Sequence, residues 1–147
     1  LVLVNAAGVR VENARMAELF IDDFDDMRKL LFFSPEDRKL VEQAMPMSID
    51  DPRILMWLRA REATARVGWN PYLHNPRLPQ HLHRVQAPTL VLWGRQDYLI
   101  PLPHGEFIAS KIPGAKLEIF ENCGHMLPFE KCDAFAARVQ KFVHDGE

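Results

Sequence analysis

The residues of this chain best suited to chemistry are Asp97 and His125. Asp97 ends the stretch Trp93-Gly94-Arg95-Gln96-Asp97, just past a run of apolar strand formers, and His125 follows Asn122-Cys123-Gly124 after a second such run. A histidine can take the proton of an attacking hydroxyl, thiol or water. An acid beside it holds the ring in the tautomer that leaves the far nitrogen free, and stabilises the ring once it is charged. Each residue alone has a plainer explanation, since an Asp after a strand is commonly a turn or cap residue and a His after Gly is commonly polar loop. The pair gains weight because both follow strands.

Other reactive side chains offer less. His74, His81, His83, His104 and His144 suggest a metal, but His81-x-His83 has no further Cys or carboxylate at ligand spacing, and zinc needs three or four ligands. Asp22-Asp23-x-Asp25-Asp26 lacks the glycine and distal glutamate of a calcium loop and reads as a solvated helix face. No metal and no cofactor is therefore expected, and the sequence contains no Gly-rich phosphate loop. Cys123 and Cys132 are too few for a disulfide framework and form no CxxC, so they read as reduced thiols of a cytoplasmic protein.

The elements that must position Asp97 and His125 are legible from apolar periodicity. Leu1-Val2-Leu3-Val4 reads as a buried strand turning at Asn5-Ala6-Ala7-Gly8. The pattern then becomes helical to about residue 85. Ala17, Phe20, Phe24, Met27 and Leu31 predict one apolar helix stripe. Ser34-Pro35-Glu36-Asp37 predicts a helix start with Ser34 as cap, and Asp51-Pro52 predicts another. Pro71, Pro76 and Pro79 break the chain, and Leu78, Leu82 and Val85 fit a short helix. From Pro88 the pattern changes. Thr89 to Trp93 reads as a strand buried on both faces, a helix starts near Pro103, Lys116 to Phe120 is a second strand, and a last helix follows Pro128 with Phe135, Val139 and Phe142 on one face. Strand, helix, strand, helix predicts an α/β fold with a parallel sheet, in which ligands bind beyond the carboxyl ends of the strands. Asp97 and His125 both follow such ends. Gly94 is expected to let the chain turn out of the sheet, and Gly124 to let the imidazole swing towards a neighbouring loop.

Pro88-Thr89-Leu90-Val91-Leu92-Trp93-Gly94-x-x-Asp97, Ile100-Pro101, Ile112-Pro113-Gly114-Ala115, Gly124-His125, Glu130 and Phe135 together resemble the C-terminal third of α/β-hydrolase-fold enzymes. The resemblance is close over 85–145. It implies residues 1–8 as a core-sheet strand, 9–85 as a helical cap and 86–147 as the C-terminal part of the core. It also implies a catalytic triad in the order nucleophile, acid, histidine, with Asp97 as acid and His125 as base. Some relatives place the acid after the earlier strand, where this chain has Asn5, which cannot serve as an acid. The family's G-x-S-x-G motif is absent: Ser34, Ser48 and Ser110 lack glycines two residues to either side, and Cys123 has Glu121 and His125 there. The oxyanion-hole loop is missing too. The nucleophile is thus expected upstream of Leu1, and the apolar start without Met suggests a truncated chain, inactive alone. Met126 and Leu127, which flank the base, and the cap residues Trp57 and Phe33 are the expected substrate-binding residues.

The composition fits a globular protein, with 48% hydrophobic and 26% charged residues. The formal net charge of −2, without a basic stripe, speaks against nucleic acid as a partner. No apolar run reaches the roughly 18 residues of a membrane span. The expected partner is a small-molecule substrate: a small, largely apolar ester, amide or C–C ketone. A lyase or dehalogenase could use the same fold. The rival reading is a non-catalytic binding module, or an inactive fragment, using the cap as a ligand surface.

Overall fold

A computed structural model describes residues 1–21 and 23–145. Strands β1 (Val2–Val4), β2 (Leu90–Gly94) and β3 (Lys116–Phe120) form a parallel sheet in the order β1-β2-β3. Among the described residues six α-helices accompany it: α1 (Phe24–Leu31), α2 (Arg38–Ala44), α3 (Ile54–Gly68), α4 (Pro103–Lys111), α5 (Leu127–Glu130) and α6 (Cys132–Asp145). A 3₁₀ helix spans Pro79–Arg84 and buries Leu82. As the apolar run predicts, β2 is buried throughout.

Alternation along β2 divides the core. Val91 and Trp93 face one cluster with Ile108 and Ile112, which α4 and the residue after it bring over the sheet. Leu90 and Leu92 face the other cluster with Leu127 and Phe142, and Phe135 and Val139 of α6 pack on it. The first cluster also contains Val9, Met16, Met27, Phe32, Val41 and Met45, so residues 9–85 share a core with the sheet. At Gly105, a Cβ would lie 2.5 Å from the Trp93 ring, so only glycine lets α4 approach the sheet this closely.

The N-terminal helical expectations need correction. Helix α1 begins at Phe24, not upstream of Ala17, because the Asp23 carboxylate accepts from the N–H groups of Asp25 (2.7 Å) and Asp26 (2.9 Å) and caps it. Upstream, backbone N–H groups find tertiary partners instead: Ala17 N–H donates to Leu99 O at 2.9 Å and Leu19 N–H to the Tyr72 hydroxyl at 2.6 Å. Phe20 packs on Trp69 and Tyr72 rather than on a helical stripe. The acidic face is exposed as expected, with Asp23 also capping α1 and Asp25 and Asp26 pairing with Arg28 and Lys29, while Asp22 lies outside the described residues.

The cap of α2 is Asp37, which accepts from Leu40 N–H, and not Ser34, which sits one turn earlier with its carbonyl bonded to Asp37 N–H. Asp51 does not cap α3. Its carboxylate takes the Arg53 N–H and guanidinium, which hold it well below the usual carboxylate range. The predicted last helix is two, with α5 and α6 separated at Lys131.

Candidate active site

The loops after β2 and β3 are stitched together. Gln96 N–H donates to Cys123 O at 2.9 Å, and Cys123 N–H donates to the Gln96 side-chain oxygen at 3.1 Å. Arg95 pairs with Glu121 above them. A Cβ on Gly94 would collide with the carbonyl oxygens of Gly124 and Cys123, and one on Gly124 would lie 2.8 Å from Phe33 N. The two glycines therefore permit close packing of backbones. Neither has a positive φ, so the turn expected at Gly94 needs no conformation special to glycine, and the missing side chain at Gly124 makes room for the Phe33 backbone.

This stitching joins Asp97 to His125. Asp97 Oδ1 accepts from the N–H groups of Leu99 (3.0 Å) and Ile100 (2.8 Å), the arrangement of a turn residue. Its Oδ2 lies 2.8 Å from His125 Nδ1. An ionised carboxylate can only accept, so this bond needs the proton on Nδ1, and in a neutral ring Nε2 then presents a lone pair. The Asp97 side chain is 0% exposed and that of His125 21%, so the acid is sealed and the ring is open at its far edge. Trp93 Nε1–H donates to Ile100 O at 3.0 Å and pins the turn behind Asp97.

Two further residues hold the histidine loop. Glu130 accepts from Gly124 N–H (2.9 Å) through one oxygen and from Phe33 N–H (2.8 Å) through the other, and burial pushes its carboxyl above the usual range. Asn5, buried at the end of β1, touches the same loop. Glu130 entered the sequence reading only as part of a resemblance, and Asn5 as a turn residue that cannot serve as the acid some relatives place there. Their bonds cross the fold, and no local pattern announces such partners.

The expected substrate-binding residues do not gather. Met126 follows His125 and packs against the first core cluster. Leu127 points into the opposite cluster and is 0% exposed, which leaves it no surface towards the ring. Trp57 stacks on Phe24 at 5.5 Å and lies under the Arg61 guanidinium, lining a small hollow of about 160 Å³ with Ile49 and Leu58. Phe33 is exposed and reaches the site only through its backbone.

A cavity of about 660 Å³ is lined by Arg10, Arg15, Tyr72, His74 and His104 among others, and by neither Asp97 nor His125. Cys123 is buried and burial pushes its thiol up to about 12, which removes it as a nucleophile. Among the described residues no three His, Cys, Asp or Glu side chains assemble into a metal site, and no helix is long and apolar enough to cross a membrane.

Known proteins share this frame. The profile of the α/β hydrolase fold family matches residues 24–131, more than half of the chain. The chain is 27% identical over 136 residues to the 2-hydroxy-6-oxononadienedioate/2-hydroxy-6-oxononatrienedioate hydrolase 2 of Pseudomonas putida, covering 92% of this chain and 46% of that protein. It is 39% identical over 72 residues to the 2-hydroxy-6-oxo-6-phenylhexa-2,4-dienoate hydrolase of Burkholderia cepacia, 49% of this chain and 24% of the other. The chain thus spans less than half the length of these curated relatives. The structure of the 2-hydroxy-6-oxo-6-phenylhexa-2,4-dienoate hydrolase from Rhodococcus sp. strain RHA1 superposes with a TM-score of 0.69 at 22% identity, over 97% of this chain and 54% of that one. A parallel sheet that carries an acid and a histidine on successive strand-end loops, matched by the family profile over most of its length, makes this chain a member of the α/β hydrolase fold family.

Proposed function

We propose that the protein is a hydrolase that attacks the carbonyl of a small, largely apolar substrate, an ester, an amide or a ketone whose C–C bond is cut, with His125 as base and Asp97 as its acid. The observation that carries this reading is the 2.8 Å bond between Asp97 Oδ2 and His125 Nδ1, with the acid sealed and the ring partly open. The C–C alternative is supported by the relatives, whose names describe hydrolysis of hydroxy-oxo-dienoates. In this reading residues 9–85 are a cap over the strand ends, and residues outside 1–147 supply the nucleophile and oxyanion hole, since no serine here stands in a G-x-S-x-G.

His125 Nε2 takes the proton of the nucleophile's hydroxyl as its oxygen bonds to the carbonyl carbon. Asp97 stabilises the imidazolium that results. The imidazolium then gives its proton to the departing alkoxide, amine or carbanion, and a water molecule, deprotonated by the same nitrogen, releases the acid product. No cofactor enters these steps.

The experiment is turnover by the full-length protein of a p-nitrophenyl ester and of a 2-hydroxy-6-oxo-dienoate, with and without His125→Ala. The expected loss is at least ~10²-fold in kcat, as general bases contribute ~10²–10⁴. Asp97→Asn is expected to lower kcat as well. The new amide must turn its oxygen to Leu99 and Ile100 N–H, leaving its NH₂ against Nδ1 and forcing the proton onto Nε2. Retention of more than about a tenth of kcat by His125→Ala would sink the assignment. Ligand binding without any turnover would favour a binding module.

A further inference from the structure

We propose that Asn5 is a positioning residue for His125: its side-chain amide clamps the backbone of the histidine loop to the ends of β1 and β2 and so keeps Nδ1 on Asp97. The inference rests on the reading of Asp97 and His125 as acid and base. Asn5 is 4% exposed, and its backbone N–H and side-chain amide are engaged. Its backbone N–H donates to Leu92 O at 3.0 Å, which ties it to β2. Its Oδ1 accepts from Gly94 N–H at 3.0 Å, at the start of the loop that carries Asp97. Its Nδ2 donates to Gly124 O at 3.1 Å and to His125 O at 2.7 Å, on the loop that carries the base.

The orientation of the amide is dictated by its surroundings, because a flipped amide would set its oxygen against two carbonyls and its NH₂ against an N–H. One side chain thus joins the acid loop and the base loop. With it, the backbone of residues 124 and 125 is satisfied: Gly124 N–H goes to Glu130, His125 N–H goes to Leu31 O at 2.9 Å, and both carbonyls go to Asn5.

The residue type is selective. Aspartate has the same shape but, when ionised, no hydrogen to donate, and would face two carbonyl oxygens. Glutamine is too long to keep the same bonds. Asn5 also has φ +42°, in the left-handed region that asparagine tolerates better than most side chains. Without the amide, the His125 carbonyl loses the Asn5 donor, the Gly124 carbonyl keeps only the 3.7 Å contact from the Cys123 thiol, and the loop gains freedom to pivot, which moves the ring relative to a carboxylate held independently by Leu99 and Ile100 N–H.

The test uses the full-length protein and two substitutions. Asn5→Gly suits the positive φ and keeps the backbone bond to Leu92, and Asn5→Asp keeps the shape and the acceptor for Gly94 N–H. Hydrogen exchange of the His125 ring Nδ1–H, followed by ¹⁵N-resolved NMR, is compared among wild type, both variants and Asp97→Asn, alongside thermal unfolding, kcat and KM. The wild type is expected to show a protected Nδ1–H that Asp97→Asn removes. Both Asn5 variants are expected to exchange it about tenfold faster or more, with kcat falling in parallel and KM nearly unchanged.

A protected Nδ1–H that Asp97→Asn removes but the Asn5 variants leave as in wild type overturns the positioning role while the acid–base pairing stands. Failure of both variants to fold overturns it too, in favour of a purely architectural role. An unprotected wild-type Nδ1–H overturns the pairing itself and this inference with it.

Discussion

At the scale of single residues, the site depends on one carboxylate doing two jobs. Asp97 uses Oδ1 to close its own turn on Leu99 and Ile100 and Oδ2 to hold His125. The plain reading of Asp97 as a turn residue and the proposed catalytic one are therefore compatible in the same side chain. The two cysteines illustrate how burial sets reactivity. Cys123 is buried, with its thiol pushed up to about 12, and Cys132 is exposed. Iodoacetamide at pH 8 is expected to alkylate Cys132 and to spare Cys123 until the protein is unfolded, because the thiolate is the reacting form. Mass spectrometry of the labelled peptides checks this, and rapid labelling of Cys123 in the folded protein would contradict the burial that sets its thiol.

At the scale of elements, the histidine loop is held from two directions, by Asn5 at the end of β1 and by Glu130 in α5. Glu130 joins Gly124 to Phe33, so the segment after α1 is fastened to the histidine loop through one carboxylate. Burial raises its folded pKa above the unfolded value of about 4.3. A group with a raised folded pKa contributes stability that is fully present below the unfolded pKa and is lost as pH rises through the folded one. Glu130→Gln cannot titrate, but turns one NH₂ towards a backbone N–H and is destabilising at low pH. The stability difference is expected to move in the variant's favour as pH rises from about 4 to 7. Urea unfolding of both proteins across that range measures it, and a constant difference would show that the carboxyl does not titrate abnormally.

At the scale of the whole molecule, the sheet has β2 at its centre and β1 at an edge, hydrogen-bonded on one side among the described residues. An unpaired apolar parallel strand invites association. Residues 1–147 expressed by themselves are expected to associate, and to hydrolyse a p-nitrophenyl ester no faster than background, because a base without a nucleophile has nothing to deprotonate but water. Light scattering and an ester assay test the two parts. A monomer with enzymatic turnover would place the nucleophile within these residues and overturn the division of labour proposed above.

The sequence by itself determined the C-terminal half of the fold and the two residues of the proposed site. A short run such as Leu90-Val91-Leu92-Trp93, rich in strand formers and bounded by Pro88 and Gly94, favours a strand buried on both faces of a parallel sheet, so β2, β3 and α4 and the loops bearing Asp97 and His125 were legible in local pattern. Between residues 12 and 85 local pattern was a poorer guide. The apolar residues Ala17 and Phe20 fit a helix stripe, yet backbone bonds to Leu99 and Tyr72 outweigh the helix there, and the Asp23 cap starts α1 later. Tertiary structure alone decided that Leu127 faces the core, that Gly94 and Gly124 are small for the sake of neighbouring carbonyls, and that Asn5 and Glu130 grip the histidine loop. The physical reason is range. Periodicity and capping act over a few residues and are written in the sequence. A bond between Asn5 and His125 spans |i−j| = 120 and exists only once β1, β2 and β3 lie side by side.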